Sequence, residues 1–501
     1  MPSSLLDSVL DTTLAAAAEG ESKLDRFVAL GDWDALAFWL RLEEDGEIPT
    51  PAEITGRLTY DVALIDELLS RQIDVILHTR DLQRLESSWR GLRRLTRAVD
   101  DDDHVKIRLL DVTWAELAKD LERAIEFSQS HLFSKIYSAE FGMPGGEPFG
   151  VLIGDYEIRH TRTSKHRTDD IGTLRAIAEV AAAAFAPFIA SAHPALFGLD
   201  SFAELERSID LHRVFSGPEY TAWNSLRKLE DVRFVGLTLP RTLMRQPYGD
   251  DPGRADGFRY QEDISAPDGA SFLWGSAGWA FAEVLVRTFQ ESGWMANIRG
   301  VTRDRESGGL VTTLPAPLFR TDPASEVTMG SLEVQLTDDQ EKDLGDLGFI
   351  ALSHCHGTPF AAFYGNQSLQ RWIDPAQEAK SRTVGEVNAK LSSMLQYMFC
   401  VSRFAHYVKV ICRDKLGSYS GADEIERVLN DWLVSYATSN ESASAETHAK
   451  YPLRDARVEV QEIPGRPGIF QSVVHLRPHY QLDQMTSSVK LVTELFASRE
   501  I

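Results

Sequence analysis

A chain of 501 residues that is 43% hydrophobic and 25% charged can bury a large core, and at that length it divides into two or more lobes. Its net charge of −23 argues against general affinity for nucleic acid or an anionic bilayer, because a phosphate surface demands a positive footprint. Three cysteines, Cys355, Cys400 and Cys412, are too few for a disulfide framework and suit a reducing compartment.

The N-terminal stretch Met1–Glu19 has no basic leading segment and carries Asp7 and Asp11 among its leucines, so it does not read as a secretory signal. Leu5, Leu6, Val9, Leu10, Thr13 and Leu14 repeat at helical spacing. Gly20 and a second short helical pattern then lead to the break Gly46-Glu-Ile-Pro-Thr-Pro51. A helix too narrow to form a core alone reads either as an arm for a partner or as an ordinary helix docked on its own domain. From Tyr60 to His78, Val62, Ile65, Leu68, Leu69, Ile73, Ile76 and Leu77 mark an amphipathic helix. Leu82–Leu95 predicts another, with Leu85, Trp89, Leu92 and Leu95 on one stripe. Asp100–Asp103 reads as a solvated turn, since no alternating set of calcium ligands follows.

Beyond it, Val105–Leu110 alternates as a strand, Trp114–Phe133 is helical, Phe149–Ile153 reads as a buried strand and Asp169–Phe188 as a helix. This alternation indicates an α/β core of mixed α+β character. The longest apolar stretches of the chain, such as Ala176–Ala192 with Glu179 and Pro187 inside, are too short or too interrupted to span a bilayer, so no direct membrane insertion is expected and the cytoplasm is the expected location. Val232–Leu239 and Ser271–Phe281 are strongly apolar, Gly278–Ser292 predicts a helix ending before Gly293, and Trp294–Gly300 a strand and turn. Thr383–Leu416 is the longest helical pattern, Asp423–Thr438 another, and Asn440–Thr447 a surface connection. Arg457–Ile463 and Gln471–Arg477 flank the turn Pro464-Gly-Arg-Pro-Gly468 as a hairpin.

Chemistry is sparse. Ser353-His-Cys-His-Gly-Thr358 places His354, Cys355 and His356 side by side, but on a strand the histidines face one way and the thiol the other. A zinc site wants three or four ligands, and neither H-E-x-x-H nor C-x-x-C occurs. There is no G-x-S-x-G elbow, and Met143–Pro148 lacks the lysine of a phosphate loop. Asp155 and Glu157 read as paired carboxylates or, more simply, as a strand end answered by Arg159 or His160. Arg403 and His406 lie a turn apart and are explained by helix-surface pairing or interface contacts. No cofactor and no metal site are expected.

Leu68-Leu-Ser-Arg-Gln-Ile-Asp-Val-Ile-Leu-His78, followed by Leu85-Glu-Ser-Ser-Trp-Arg-Gly-Leu92, resembles the hallmark of the TssC (VipB-like) family, the large sheath subunits of bacterial type VI secretion systems. Phe149–Tyr156, Ser292–Trp294 with Ile298–Gly300, Gly348–Thr358, Tyr397–Tyr407, Arg413–Gly417, Tyr451–Ala456 and Leu476–Gln481 resemble further family blocks in order. The resemblance runs from about Leu68 to the C-terminus and is loose before that. It makes Trp89, Arg90 and Gly91 family signature residues, and it reassigns Ser353–Thr358 to a strand and turn.

The resemblance implies a multi-lobed core like that of a contractile phage-tail sheath and a structural role without catalysis. The implied partners are a TssB-like small sheath subunit, other copies in a helical sheath, the Hcp tube, a baseplate and a ClpV-type AAA+ ATPase that recycles the contracted sheath. On this reading residues 1–55 are an arm carrying a candidate ATPase-recognition helix with Leu5, Leu6 and Leu10. Residues 56–145 are a helical region that pairs with the small subunit, and residues 146–501 are the sheath core with a strand-exchange segment. Candidate inter-subunit strands contain Val458, Val460 and Val473 in the hairpin, and Val489 and Leu491 in the terminal stretch Ser488–Leu495. Two alternatives stand beside it: a contractile sheath protein outside type VI secretion, or a metalloenzyme using His354, Cys355 and His356.

Overall fold

The computed structural model describes residues 23–40, 50–99, 104–143, 145–249, 257–265, 269–301, 307–316, 318–322, 325–328, 330–371, 393–415, 422–440, 443–462 and 470–479. The chain forms two compact units, one of Met1–Val75 with Gly249–Gln261 and one of Ile76–Tyr248 with Glu262–Ile501.

In the first unit, helices α1 (Lys23–Val28) and α2 (Asp32–Leu40) precede α3 (Pro51–Leu77), whose last two residues belong to the second unit. Pro51, expected within a break of the chain, instead opens α3. Thr50 N–H donates to the Glu53 carboxylate at 2.8 Å, and Glu53 N–H donates back to the Thr50 hydroxyl at 3.4 Å. Pro51 then sits in the first turn, where its missing N–H costs nothing. The Phe27 ring lies 5.6 Å from that of Trp39, whose Nε1 donates to Asp61 at 2.9 Å. Tyr260 donates its hydroxyl to Asp74 at 2.6 Å. No residue of α3 is buried, and Tyr60, Val62, Ile65 and Leu69 are exposed along it.

The second unit is organised by a sheet of β1 (Leu152–Ile158), β2 (Phe188–Ala192), β3 (Val235–Leu239), β4 (Leu310–Val311), β5 (Ile350–His354) and β6 (Ala361–Phe363). Its spatial order is β1-β2-β3-β5-β6-β4. The first four in that order pair in parallel, and β6 pairs antiparallel with both β5 and β4. Strands β2 and β3 are buried throughout because both faces are covered, which explains their continuous apolar sequences. Phe188, Ala190, Leu237 and Leu239 face Leu174, Ile177 and Ala181 of α4 (Asp170–Ala184). Ile189, Ile350, Leu352 and Phe363 face Phe281, Val284 and Leu285 of α5 (Ala277–Ser292), together with Leu395 and Phe399 of α6 (Leu395–Lys415). Gly236 admits the second layer, since a Cβ there would stand 2.6 Å from Leu395 Cδ1.

Boundaries differ from the periodicity where backbone chemistry intervenes. Helix α4, expected to reach Phe188, stops at Ala184 because Pro187 bars helical geometry at Ala186 and Phe185 turns left-handed with φ 51°. The region Trp114–Phe133 splits: a capping box at Thr113 starts a helix that ends at Arg123, and Ser130 caps a new turn leading into a π-helical segment, Ser134–Phe141. Val105–Leu110, expected as a strand, makes no ladder; its alternate charges Lys106 and Arg108 pair with Glu147 and Glu140 instead. Trp294–Gly300 is also not a strand. The Trp294 side chain turns into an aromatic cluster, and Gly300 N–H donates to the Phe363 carbonyl at 2.8 Å. Asn440–Thr447 runs into a short helix, Ala445–Lys450, capped by Ser444. The acidic run 100–103 and residues 383–392 of the long helical pattern lie outside the described residues.

Trp294 stacks on Phe404 at 4.2 Å and meets Tyr436 edge-on at 5.1 Å. Around this cluster gather α6, α7 (Ala422–Val434) and an antiparallel hairpin of β7 (Leu453–Glu462) and β8 (Phe470–Pro478), slightly longer than its sequence pattern. Among the described residues no helix is long and apolar enough to cross a membrane.

His406, expected on a helix surface, is buried on α6 and hydrogen-bonds the Ala184 carbonyl at 2.9 Å. Burial pushes its pKa down to about 4, against the hydrogen bond and with help from Arg403 and Lys409. Burial likewise pushes His193 down to about 4, opposed by Glu157 and reinforced by Arg159 and Arg241. Both are neutral when folded, so their contribution to stability is complete above the unfolded value near pH 6.5 and is lost as pH falls toward 4. Urea titrations at pH 7 and pH 5 should show a loss of about 2 kcal/mol per histidine, and His406→Gln should remove its share of that slope.

Candidate functional site

Trp89, Arg90 and Gly91, expected as a family signature, lie on α8 (Arg80–Ala98), whose buried positions Ser87, Gly91 and Leu95 repeat every four residues. Gly91 is where this helix meets α5: a Cβ there would fall 2.5 Å from Cδ1 and Nε1 of Trp279. The Trp279 Nε1 donates to Asp155 Oδ1 at 3.2 Å, and the Ser88 hydroxyl donates to the other oxygen of the same carboxylate. Burial raises the Asp155 pKa against these two hydrogen bonds. Strand β1, helix α5 and helix α8 are thereby joined at one side chain.

Arg90 donates to Glu86 at 2.7 Å and to the Tyr248 hydroxyl at 3.1 Å. Glu86 also accepts from Arg245 at 2.9 Å, and Arg245 forms a two-point pair with the buried Glu262, with distances of 2.5 and 2.9 Å. Burial would raise the Glu262 carboxyl, but Arg245, the Tyr248 amide and His78 outweigh it and hold the pKa below the usual range. Trp89 does neither job. It is 59% exposed, with Leu85 one turn before it at 55%, while Leu95 is buried against Met244, Leu273 and Trp279. The stripe expected to run from Leu85 to Leu95 is therefore two surfaces, one facing the core and one facing outward.

In the hairpin, Val458 and Val460 are buried over α7, and Val473 is 46% exposed on the opposite face. Val489 and Leu491, like Leu5, Leu6 and Leu10, lie outside the described residues. Strand β5 ends at His354, and a tight turn follows. Cys355 N–H donates to the Phe360 carbonyl at 2.9 Å, Thr358 N–H donates to the Cys355 carbonyl at 3.1 Å, and Gly357 takes φ +74°. Burial lowers the His354 pKa, with a smaller contribution from His356. Among the described residues no group of three or more His, Cys, Asp or Glu side chains is placed to hold a metal ion.

Asp155 and Glu157 both lie on β1 but have separate partners. Glu157 accepts from Arg241 at 2.6 Å, across the sheet rather than from Arg159 or His160. Burial works to raise Glu157, and Arg241 more than offsets it. Arg403 donates to Tyr407 at 3.1 Å and lies over the Phe289 ring, 5.5 Å from its centroid. Sequence reasoning missed Arg241, Arg245 and Glu262, isolated charges whose partners lie far along the chain.

Residues 59–370 match the family described as EvpB/VC_A0108, tail sheath N-terminal domain, and residues 384–495 match its tail sheath gpW/gp25-like domain. The chain belongs to the EvpB/VC_A0108 tail sheath family. It is 40% identical over 445 residues, 88% of this chain and 86% of the relative, to the type VI secretion system sheath protein TssC1 of Pseudomonas aeruginosa (strain PAO1). Among solved structures, an anti-feeding prophage baseplate chain is similar at a TM-score of 0.36 and 9% identity, covering 80% of this chain and 84% of that one. A chain of the contracted anti-feeding prophage helical sheath is similar at 0.28 and 12%, covering 66% and 75%. Scores this low carry no weight, and the assignment rests on the sequence matches. As a member of the TssC sheath family, the chain is a contractile-sheath large subunit of type VI secretion. Membership also carries self-assembly into a helical sheath and partnership with a small TssB-type subunit.

For this sheath subunit Gly91→Ala is a sharp test of the signature. Its methyl group overlaps the Trp279 ring, which is held by Asp155 and cannot swing away freely. A loss of about 1–3 kcal/mol is expected in chemical unfolding, whereas Trp89→Ala, on the exposed face, should change stability by less than about 0.5 kcal/mol.

Proposed function

We propose that this sheath subunit acts as a mechanical part without turnover of its own, in a cytoplasmic polymer that surrounds an Hcp tube on a baseplate and propels the tube by contracting. The observation that carries the reading is the match of both tail sheath domains, over residues 59–370 and 384–495, in one chain. Neither nucleic acid nor a bilayer enters the mechanism. Polymerisation stores the energy by trapping an extended arrangement above a more compact one.

Within that machine, residues 56–145 are the region that receives the small subunit. Support comes from the exposed apolar side chains of α8, Leu85 and Trp89, one turn apart on a helix whose other face is fixed to the core. An exposed tryptophan beside a leucine is the composition of an interface anchor. The core, residues 146–501, holds the hairpin β7–β8, to which a neighbouring copy adds an extended strand. The alternating stretch with Val489 and Leu491 is the candidate donor. Residues 1–55 are the arm, with Leu5, Leu6 and Leu10 as the apolar face offered to a ClpV-type ATPase.

Co-expression with the small sheath subunit from the same gene cluster, followed by negative-stain electron microscopy, tests the function. Hollow tubules are expected; a soluble monomer that ignores its partner would overturn the reading. The double variant Leu85→Ala with Trp89→Ala should recover at least about ten-fold less small subunit at unchanged circular dichroism, as loss of two anchors implies. Deletion of residues 1–20 should leave tubules intact while abolishing retention of the ATPase on contracted sheaths. Undiminished retention would remove the arm's proposed role.

A further inference from the structure

A β-hairpin has two outer edges, and a strand can be added at either. In this hairpin the two edges differ. Asn430, on α7, donates its amide NH2 to the Val458 carbonyl at 3.1 Å and accepts from the Val458 N–H at 2.9 Å. Its side-chain amide thus takes both positions that one residue of a neighbouring strand would take. One helical turn earlier, the Glu426 carboxylate accepts from the Val460 N–H at 2.9 Å. At the start of the strand, Leu453 N–H donates to the Tyr436 carbonyl and the Leu453 carbonyl accepts from Thr438 N–H, at 3.3 and 2.8 Å. The outer edge of β7 is closed at three residues by groups from α7 and the segment after it.

The same contacts define the other edge. Because the Val458 N–H and C=O point toward Asn430, the opposed pair Val458 and Val474 is a non-hydrogen-bonded pair of the antiparallel ladder. The N–H and C=O of Val474 therefore point away from β7, as do those of Leu476 opposite Ala456. Among the described residues neither Val474 nor Leu476 makes a hydrogen bond on that side. The side chains of both are half-buried against the aromatic cluster beneath the hairpin, which seats β8 on the core.

We propose that Asn430 and Glu426 are specificity-determining residues for assembly. They occupy the β7 edge as a dummy strand, so the strand added by a neighbouring copy pairs only with β8, at Val474 and Leu476. The proposal rests on the strand-addition reading above and adds the edge, and hence the direction, on which the lattice connection is made. A single open edge prevents one protomer from accepting strands on both sides, which would branch the polymer.

Residue-resolved hydrogen exchange, read by fragmentation mass spectrometry, separates the two claims when applied to the chain alone and to tubules co-assembled with the small subunit. In the native sequence, Val458 and Val460 amides should be protected in both samples, whereas Val474 and Leu476 should slow by at least about ten-fold on assembly. In Asn430→Ala, the Val458 amide should exchange faster in the free chain and slow again in tubules, because the vacated edge now admits a strand. Val458 staying fast in Asn430→Ala tubules would overturn the role of Asn430 in closing that edge, and further slowing of Val458 in native-sequence tubules without slowing at Val474 and Leu476 would overturn the edge assignment and keep strand addition. Tubules in which neither edge slows would overturn strand addition itself. If Asn430→Ala fails to fold, the native-sequence comparison at Val474 and Leu476 still decides, and Glu426→Ala, which removes the acceptor, reports on Val460 in the same way.

Discussion

The constraint on which the second unit depends is that its parallel strands are buried on both faces. Backbone groups in such a sheet can be satisfied only by neighbouring strands, and its side chains only by a layer on each side. Helix α4 supplies one layer, and α5 with the start of α6 supplies the other. The glycine at 236 fits this arrangement, because it lets the second layer approach a strand that any side chain would hold off. The left-handed turn at Phe185 and the bend at Trp294 are places where the chain leaves one layer to join another.

Helix α8 is fixed to this scaffold by contacts of two kinds. Gly91 against Trp279 allows close approach, and Asp155 holds the indole in place from β1. The Glu86, Arg245 and Glu262 network holds the first half of the helix, since a two-point arginine pair tolerates little rotation. A helix clamped along one face presents the other without further ordering cost. Along Trp89-Arg90-Gly91 the three positions differ residue by residue: Trp89 is exposed, Arg90 makes a lateral ion pair with Glu86, and Gly91 packs inward against Trp279.

The hairpin follows a different logic. Its inner face is anchored by Val458 and Val460 over α7, and its edges are treated unequally by side chains of the same helix. Free strand edges invite aggregation, and covering an edge with groups from a helix is one way proteins manage it. The aromatic group around Trp294 and Phe404 ties the hairpin to α6, and through α6 to the main sheet.

Sequence alone determined the family, because blocks such as Leu85–Leu92 and Gly348–Thr358 are local and ordered. It also determined the helices whose apolar period is unbroken, and a hairpin announced by alternation around Pro464–Gly468. It over-read Val105–Leu110, where alternation came from paired charges rather than from a sheet. Only the tertiary structure decided that Leu85 and Leu95 belong to opposite surfaces, that His406 is buried, and that Glu157 is answered by Arg241. The physical reason is common to all of these: they depend on groups brought together from distant positions. Asn430 shows it most plainly, since an asparagine on a helix carries no local sign that a strand 28 residues later will need its amide.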